Sequence, residues 1–395
     1  MELRPAAAGM RPWRFVVWFG TVSLLADFVY EGARSVTGAL LASLGASALV
    51  VGVVTGAGEA AALGLRLVSG PLADRSGRFW AWTIAGYALT VVSVPLLGLA
   101  ATVWTACVLV IAERVGKAVR SPAKDTLLSY ATAATGRGRG FAVHEAMDQI
   151  GALIGPLTVA GVLALTGGDY APALGVLAAP GVAVLALLVR LRRRVPNPGV
   201  YEPAAAAEPV AAPKGQLPAA FWMYAAFIAA TTAGFATFGL LSFHLIQRGL
   251  LAVAWVPVLY AGAMAVDALA ALATGWAYDR IGPRVLAVLP LLAAAVPALA
   301  FTRTLVTAVC GSLVWGAAMG IQESTLRATV ADLVPAGRRA TAYGIFAGVI
   351  GGASLAGGAL MGALYGYSIP VLVAVVAAIQ VGALALLAAL LIKRV

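Results

Sequence analysis

The chain has 395 residues, 62% of them hydrophobic and only 11% charged, with a mean hydropathy of +0.94. A soluble domain is about half apolar and about a quarter charged, so a water-soluble fold is excluded and length becomes a count of membrane crossings at roughly 20 residues each. The net charge of +11 does not point to nucleic acid, and no such partner is expected, because Lys and Arg gather in short segments between apolar runs rather than on one face.

In chain order, apolar windows fall at about 14–40, 48–70, 79–100, 102–128, 140–166 and 171–190. A second set follows at about 218–246, 252–276, 285–302, 305–331, 341–365 and 369–392. The expected fold is an all-α membrane protein of twelve transmembrane helices in two pseudo-symmetric six-helix bundles, 1–190 and 218–395. The stretch 191–217, rich in Pro and Ala and too polar to span, reads as a cytoplasmic linker. Positive charge alternates. Arg4, Arg11 and Arg14 precede the first window, Arg75 and Arg78 follow the second, and Arg137 and Arg139 follow the fourth. Arg192, Arg193, Arg194 and Lys214 lie in the linker, Arg280 and Arg284 follow the eighth window, Arg338 and Arg339 the tenth, and Lys393 and Arg394 end the chain. The intervening loops hold only Arg248 and Arg303. Both termini are therefore expected in the cytoplasm, with the chain in the plasma membrane, the inner membrane of the cell.

Several windows carry ionisable groups at depth, where charge is expensive and turns to a partner or a water-filled cavity. The first contains LLADFVYEGARSVTG, with Asp27, Glu31 and Arg34 on one helical face. The second holds Glu59 and, seven residues on, Arg66. The fourth has Glu113 and Arg114, and Glu113, Lys117, Arg120 and Lys124 form a stripe running toward the cytoplasm. The fifth carries His144, Glu145 and Asp148 in its inner half. Arg120, Lys124, His144, Glu145 and Asp148 read as a salt-bridge network shaping an inner gate, with a direct substrate role as the alternative. The second set is poorer: Asp267 in the eighth window, then Glu323 and Arg327 at pairing distance in the tenth. Asp27, Glu31, Arg34, Glu59, Arg66, Glu113, Arg114 and Asp267 are the candidates for binding substrate or protons. The asymmetry suggests that proton or ion coupling lives in the first half. The second half, with Trp255, Tyr260, Trp276, Trp315 and Tyr343, would supply apolar substrate surface. His244 reads as interfacial.

Two loops repeat. GPLADRSGR after the second window matches GWAYDRIGPR after the eighth: Gly70, Asp74, Arg75 and Gly77 return as Gly275, Asp279, Arg280 and Gly282. Such self-similarity marks homologous halves. The first copy, which ends at Arg78, resembles the signature loop of the major facilitator superfamily, and the whole chain is similar to that family's plan of six spans, linker and six spans. The glycines permit tight turns, and the acid and arginines would latch the cytoplasmic helix ends in one state. In the fifth window GALIGPL, with Gly151, Gly155 and Pro156, resembles the Gly-x-x-x-Gly-Pro core of the family's drug:proton antiporters. The alternative is a small-residue packing face with a proline bend.

Other chemistry finds no carrier. No phosphate-cradling Gly-x-x-x-x-Gly-Lys-Ser/Thr loop and no nucleophile elbow occur. Two histidines and two cysteines, Cys107 and Cys310, give no metal or disulfide framework. No cofactor, no metal and no enzyme activity are expected, and the protein should act as a monomer. Its partners would be a small-molecule substrate, protons and membrane lipid. The resemblance implies alternating access, with proton-coupled export of a small amphipathic organic compound. The alternatives are uptake of an anionic metabolite on Arg34, Arg66, Arg114 and Lys117, and a non-transporting sensor with the same fold.

Overall fold

The computed structural model describes residues 10–135, 137–201, 217–335 and 338–392, and its regular structure is helical throughout. Arg4, Lys214, Lys393 and Arg394, and the side chains of Arg137, Arg139, Arg327 and Arg339, lie outside the described residues. The first half comprises α1 (Pro12–Ser43), α2 (Ala48–Gly64), α3 (Arg66–Ser76), α4 (Phe79–Gly98), α5 (Val103–Thr135), α6 (Arg137–Leu165), α7 (Tyr170–Gly175) and α8 (Ala178–Arg194). The second comprises α9 (Ala219–Ala233), α10 (Phe238–Gln247), α11 (Trp255–Ile281), α12 (Val288–Ala300), α13 (Leu305–Leu333), α14 (Arg339–Tyr367) and α15 (Ile369–Ile392).

Among the described residues 10 stretches are long and apolar enough to cross a membrane. Two details bring this into line with twelve crossings. The stretch Trp255–Ala300 holds both α11 and α12, which are separated at Gly282 by a backbone turn with φ +63°. Helix α5 has 33 residues but carries five charges between Glu113 and Lys124, so it fails on apolarity alone. Three crossings, α2–α3, α7–α8 and α9–α10, are each made of two helical pieces. An even number of crossings puts Pro12 and Ile392 at one end, called the terminal end below.

The pairings of the first half recur in the second. The contacts of α1 with α6, α4 with α5, α2 with α5 and α1 with α8 return as α9 with α14, α12 with α13, α11 with α13 and α9 with α15. Between halves, α2 packs along α14, α1 against α10, and α6 against α11. At the end away from the termini these contacts form one continuous apolar core, including Val36, Leu40, Val51, Val159, Phe238, Tyr260 and Met361. At the terminal end the core divides: one cluster around Phe15, Phe19, Trp80 and Leu127 belongs to the first half, and another around Phe221, Leu289, Leu326 and Phe346 to the second. The halves are thus joined at one end and parted at the other.

Small residues make the joint. A Cβ on Gly52 would lie 2.1 Å from the Gly358 carbonyl oxygen, and one on Gly38 would overlap the Gly239 carbonyl. Apolar burial gives little drive between helices in lipid, so close backbone approach supplies the contact instead. The same device operates inside each half. Gly151 and Gly155 of GALIGPL bring α6 onto the carbonyls of Leu24 and Phe28 in α1, and Gly316 and Gly320 bring α13 onto those of Ala263 and Asp267 in α11.

We expect Gly155→Ala to lower the thermal stability of the detergent-solubilised protein, since its Cβ would meet the Phe28 oxygen at 2.1 Å; overpacking of this kind costs about 1–3 kcal/mol. Gly161→Ala, with nothing within 4 Å, serves as the control. Equal melting temperatures for the two variants would refute the close-packing role.

Candidate functional site

A cavity of about 700 Å³ lies between the halves. It runs from mid-bundle, beneath the joined end, to the exposed Asp125 at the terminal end. Its first-half wall presents Tyr30, Arg34, Glu59, Arg66, Arg114 and Lys117; its second-half wall presents Phe235, Phe238, Trp315, Gln322, Glu323 and Phe346. One wall is ionic and the other mainly aromatic.

The ionic wall is built by α1, α2 and α5. Tyr30 and Arg34 are i, i+4 on α1 and face Glu59 of α2 and Arg114 of α5. Glu59 Oε1 lies 3.2 Å from Arg34 Nη2 and 3.3 Å from Arg114 Nη1, so one carboxylate holds two guanidinium groups. Arg34 also lies 3.7 Å from Glu31, and Arg114 Nε lies 3.4 Å from Glu113. Arg114 donates to the Tyr30 hydroxyl. The Lys117 ammonium sits 4.0 Å from the centre of the Tyr30 ring, a cation–π contact. Among the described residues no carboxylate comes within 4 Å of it. Lys117 therefore keeps donors free toward the cavity.

The seventh crossing breaks at 234–237, between α9 and α10, where the sequence reading expects one unbroken span. Irregular backbone at membrane depth needs partners or cavity water. Trp315 Nε1 donates to the Ala236 carbonyl at 2.8 Å, and Gln380 Nε2 donates to the Thr231 and Gly234 carbonyls at 3.0 Å each. The break lets Thr232, Phe235, Thr237 and Phe238 line the cavity. Two polar contacts cross between halves beside it: Thr55 Oγ1 to Thr237 Oγ1 at 3.0 Å, and the Tyr260 hydroxyl donating to Glu31.

The remaining predicted residues sort clearly. Asp27 is half-buried on α1, and among the described residues it has no cation within 4 Å. Arg66 lines the cavity and donates to the Ala62 carbonyl at 2.9 Å. Of the expected gate network, Lys124, His144 and Asp148 meet around Ser23: Lys124 Nζ is 3.3 Å from His144 Nε2 and 4.0 Å from Asp148, and Ser23 Oγ is 3.1 Å from His144 Nε2. Arg120 instead turns to Thr90 at 2.7 Å and to the Tyr87 ring, and Glu145 is exposed. Asp267 is 3% exposed, and its Oδ1 has no hydrogen-bond partner. Glu323 lines the cavity, while the Arg327 side chain expected beside it lies outside the described residues.

In the repeated loops, Gly77 and Gly282 take φ +61° and +63°, as their turns require. Asp74, Arg75, Arg78 and Asp279 are exposed, and among the described residues the two acids make no ion pair within 4 Å. Gly70 and Gly275 sit inside α3 and α11, and Arg280 stacks 3.2 Å from the Trp276 ring. Of the expected aromatic surface, Trp315 and Tyr343 line the cavity, Tyr260 is buried at the joint, and Trp255 and Trp276 are 60% and 63% exposed on the outside. His244, expected at the interface, is buried within the protein, bonded to the Tyr365 hydroxyl at 2.7 Å and to the Thr302 carbonyl at 2.8 Å. Sequence reasoning missed Tyr30, Phe238 and the broken crossing. Their traces were a tyrosine inside the charged stretch and the glycines Gly234 and Gly239 at the two ends of GFATFG.

A family model described as Major Facilitator Superfamily matches residues 19–358. An uncharacterized protein of Mycobacterium tuberculosis (strain H37Rv) is 65% identical over 394 residues, covering 99% of this chain and 96% of that protein. Among solved structures, the nucleoside transporter NupG superposes with TM-score 0.74 at 16% identity, over 95% of this chain and 99% of that one. A bacterial homolog of the human lysosomal transporter Spinster, inward-facing and occupied, gives TM-score 0.68 at 17% identity over 97% and 96%. At such identities these structures share the fold.

Glu59→Gln removes the charge that two arginines share. We expect it to lower thermal stability by about 1–3 kcal/mol, less than the roughly 3–5 kcal/mol for breaking a fully buried pair, because the Glu59 side chain is 28% accessible. Glu145→Gln, at an exposed position, should leave the melting temperature unchanged. A neutral outcome at Glu59 would remove it as the organising group.

Proposed function

The chain belongs to the major facilitator superfamily, and on that premise we propose that it is a secondary active transporter working by alternating access. The observation that carries this reading is the cavity between paired halves, lined by both and closed at one end by their joint. Rocking the halves about that cavity would open it to each side in turn. The positive-inside pattern supports a cytoplasmic terminal end, so the described conformation corresponds to one open to the cytoplasm.

The substrate we propose is a small amphipathic organic compound. Its polar end would meet Lys117, Arg34 and Arg114, and its apolar part the face of Phe235, Phe238, Trp315 and Phe346. Export in exchange for protons is the direction favoured by the resemblance of GALIGPL to the antiporter motif. Asp27, Glu31, Glu59 and Glu113 are the deep carboxylates of the first half, of which Glu59 lines the cavity, and binding or losing a proton at such a group shifts the balance between states. A second reading, proton-coupled uptake of an anionic metabolite, is favoured by the four cationic side chains that line the cavity.

Purified protein in liposomes loaded with the pH dye pyranine tests both. Cationic, neutral and anionic amphiphiles would be added singly under an imposed pH gradient. We expect a subset to evoke proton movement across the membrane, and Lys117→Met to weaken the response to anionic compounds most. Proton flow opposite to the compound supports export, and flow in the same direction supports uptake. Silence across a broad panel, with correctly folded protein, would favour the non-transporting sensor instead.

A further inference from the structure

The buried acids of the two halves are not equivalent. In the first half Glu31, Glu59 and Glu113 each lie within 4 Å of a guanidinium group. Each is thereby part of an ionic contact, Glu59 holding Arg34 and Arg114 together. Asp27 also lacks a cation within 4 Å but is only half-buried, and Glu113 Oε1 and Asp148 Oδ1 lack hydrogen-bond partners but belong to carboxylates with a cation within 4 Å; Asp267 on α11 combines full burial with neither kind of partner. It is 3% exposed, its Oδ1 has no hydrogen-bond partner, and among the described residues no cation lies within 4 Å. A bare charge in that position costs several kcal/mol, and a neutral acid far less.

Its place in the fold gives that difference a consequence. α11 is the second-half helix that packs against α6 and α1. Asp267 stands seven residues after Tyr260, on the same helical face, and Tyr260 donates to Glu31 across the joint. α13 touches α11 at the Asp267 carbonyl through Gly320, and Glu323, one turn beyond Gly320, lines the cavity. The charged groups that act on Asp267 are Glu323 from α13, Glu31 and Arg34 from α1, and Glu145 from α6.

We propose that Asp267 is the group that carries the coupling proton, and that its ionisation drives apart the joint between α11 and the first half. In the conformation described, the acid is buried and neutral, and the joint is closed. When the joint opens, water reaches Asp267 from the far side, where the proton exchanges. On closure the proton passes to the cavity by way of Glu323. Binding is a simple protonation of one carboxylate oxygen, with water as the donor and acceptor. The proposal rests on the proton-coupled reading above, but it moves the coupling site into the second half.

The sign follows from linkage. Raising pH removes the proton, so it favours the state in which Asp267 is hydrated. The ratio of open to closed joint should rise with pH, by at most about tenfold per unit. Spin labels at Ala101 and Arg303, exposed loop residues of opposite halves beyond the joint, report that ratio as a distance distribution and need no substrate. The labels go into full-length protein carrying Cys107→Ser and Cys310→Ser, in lipid nanodiscs between pH 5.5 and 8.5. We expect the unsubstituted Asp267 protein to gain a longer distance as pH rises. Asp267→Asn should hold the short distance at every pH, and Asp267→Glu should restore the response. Asp267→Ser provides a second neutral variant should the amide fail to fold. A pH-dependent lengthening that survives in Asp267→Asn or Asp267→Ser overturns the proposal while leaving proton coupling in place. No lengthening in the unsubstituted protein overturns both.

Discussion

A charge within a hydrocarbon slab must find a partner, and this molecule meets that constraint by letting one carboxylate serve two arginines. Glu59 binds Arg34 of α1 and Arg114 of α5, so three helices that meet in the first half are fixed at one depth and one rotation. Tyr30 completes the arrangement. Its hydroxyl accepts from Arg114 and its ring lies under Lys117. The positions of Arg34, Glu59, Arg114 and Lys117 on the cavity wall follow from this cluster. The second half solves a different problem with neutral means. Its broken crossing exposes backbone carbonyls at depth, and Trp315 and Gln380 satisfy them. One wall is therefore organised by charge and the other by aromatic and amide side chains, although the two halves share their helix pairings.

The joint between halves has a physical character suited to opening. Where opening admits water, apolar residues of the joint such as Val36, Leu40 and Phe238 lose their burial, while at faces that meet lipid little hydrophobic energy is at stake. What holds them is close backbone contact at Gly38, Gly52 and Gly358, with two polar contacts, Thr55 to Thr237 and Tyr260 to Glu31. Both sorts of contact have alternatives: lipid or water for the helix faces, water for the hydroxyls. At the terminal end the signature loops are exposed, and their acids Asp74 and Asp279 stand free of ion pairs among the described residues.

The sequence made the crossings and the repeat legible, because both depend on composition and local spacing. Apolar windows track lipid thickness, and the echo of GPLADRSGR in GWAYDRIGPR is visible without any structure. The stretch from Asp27 to Arg34 announced a polar site for the same reason: buried charge is too costly to be incidental. Partners across helices were less legible. Nothing in spacing says that Glu59 meets Arg34 and Arg114, that Arg120 leaves its stripe for Thr90, or that His144, Lys124 and Asp148 gather on Ser23. Those depend on helix rotation, which packing sets. Trp255 and Trp315 look alike in sequence, yet one faces outward and the other lines the cavity. The break at 234–237 was hidden because its cost is met by Trp315 and Gln380, distant in the chain.

Two homologous halves that exchange conformations need some asymmetry to make the exchange respond to anything. Here the asymmetry is in how acids are compensated. Compensated acids, such as Glu59, keep their charge in any state that preserves their helix cluster, and that cluster lies within one half, so rocking leaves it intact. An uncompensated acid at a surface between halves is different, because rocking changes its surroundings from protein to water. Such a group would have a protonation free energy that depends on which end is open, a dependence that would link a proton gradient to movement. Tyr260 and Asp267 share one face of α11, the first bonded to Glu31 across the joint and the second left without a partner on Oδ1. On the mechanism proposed above, one helix face carries both the contact that must break and the group whose charge state would break it.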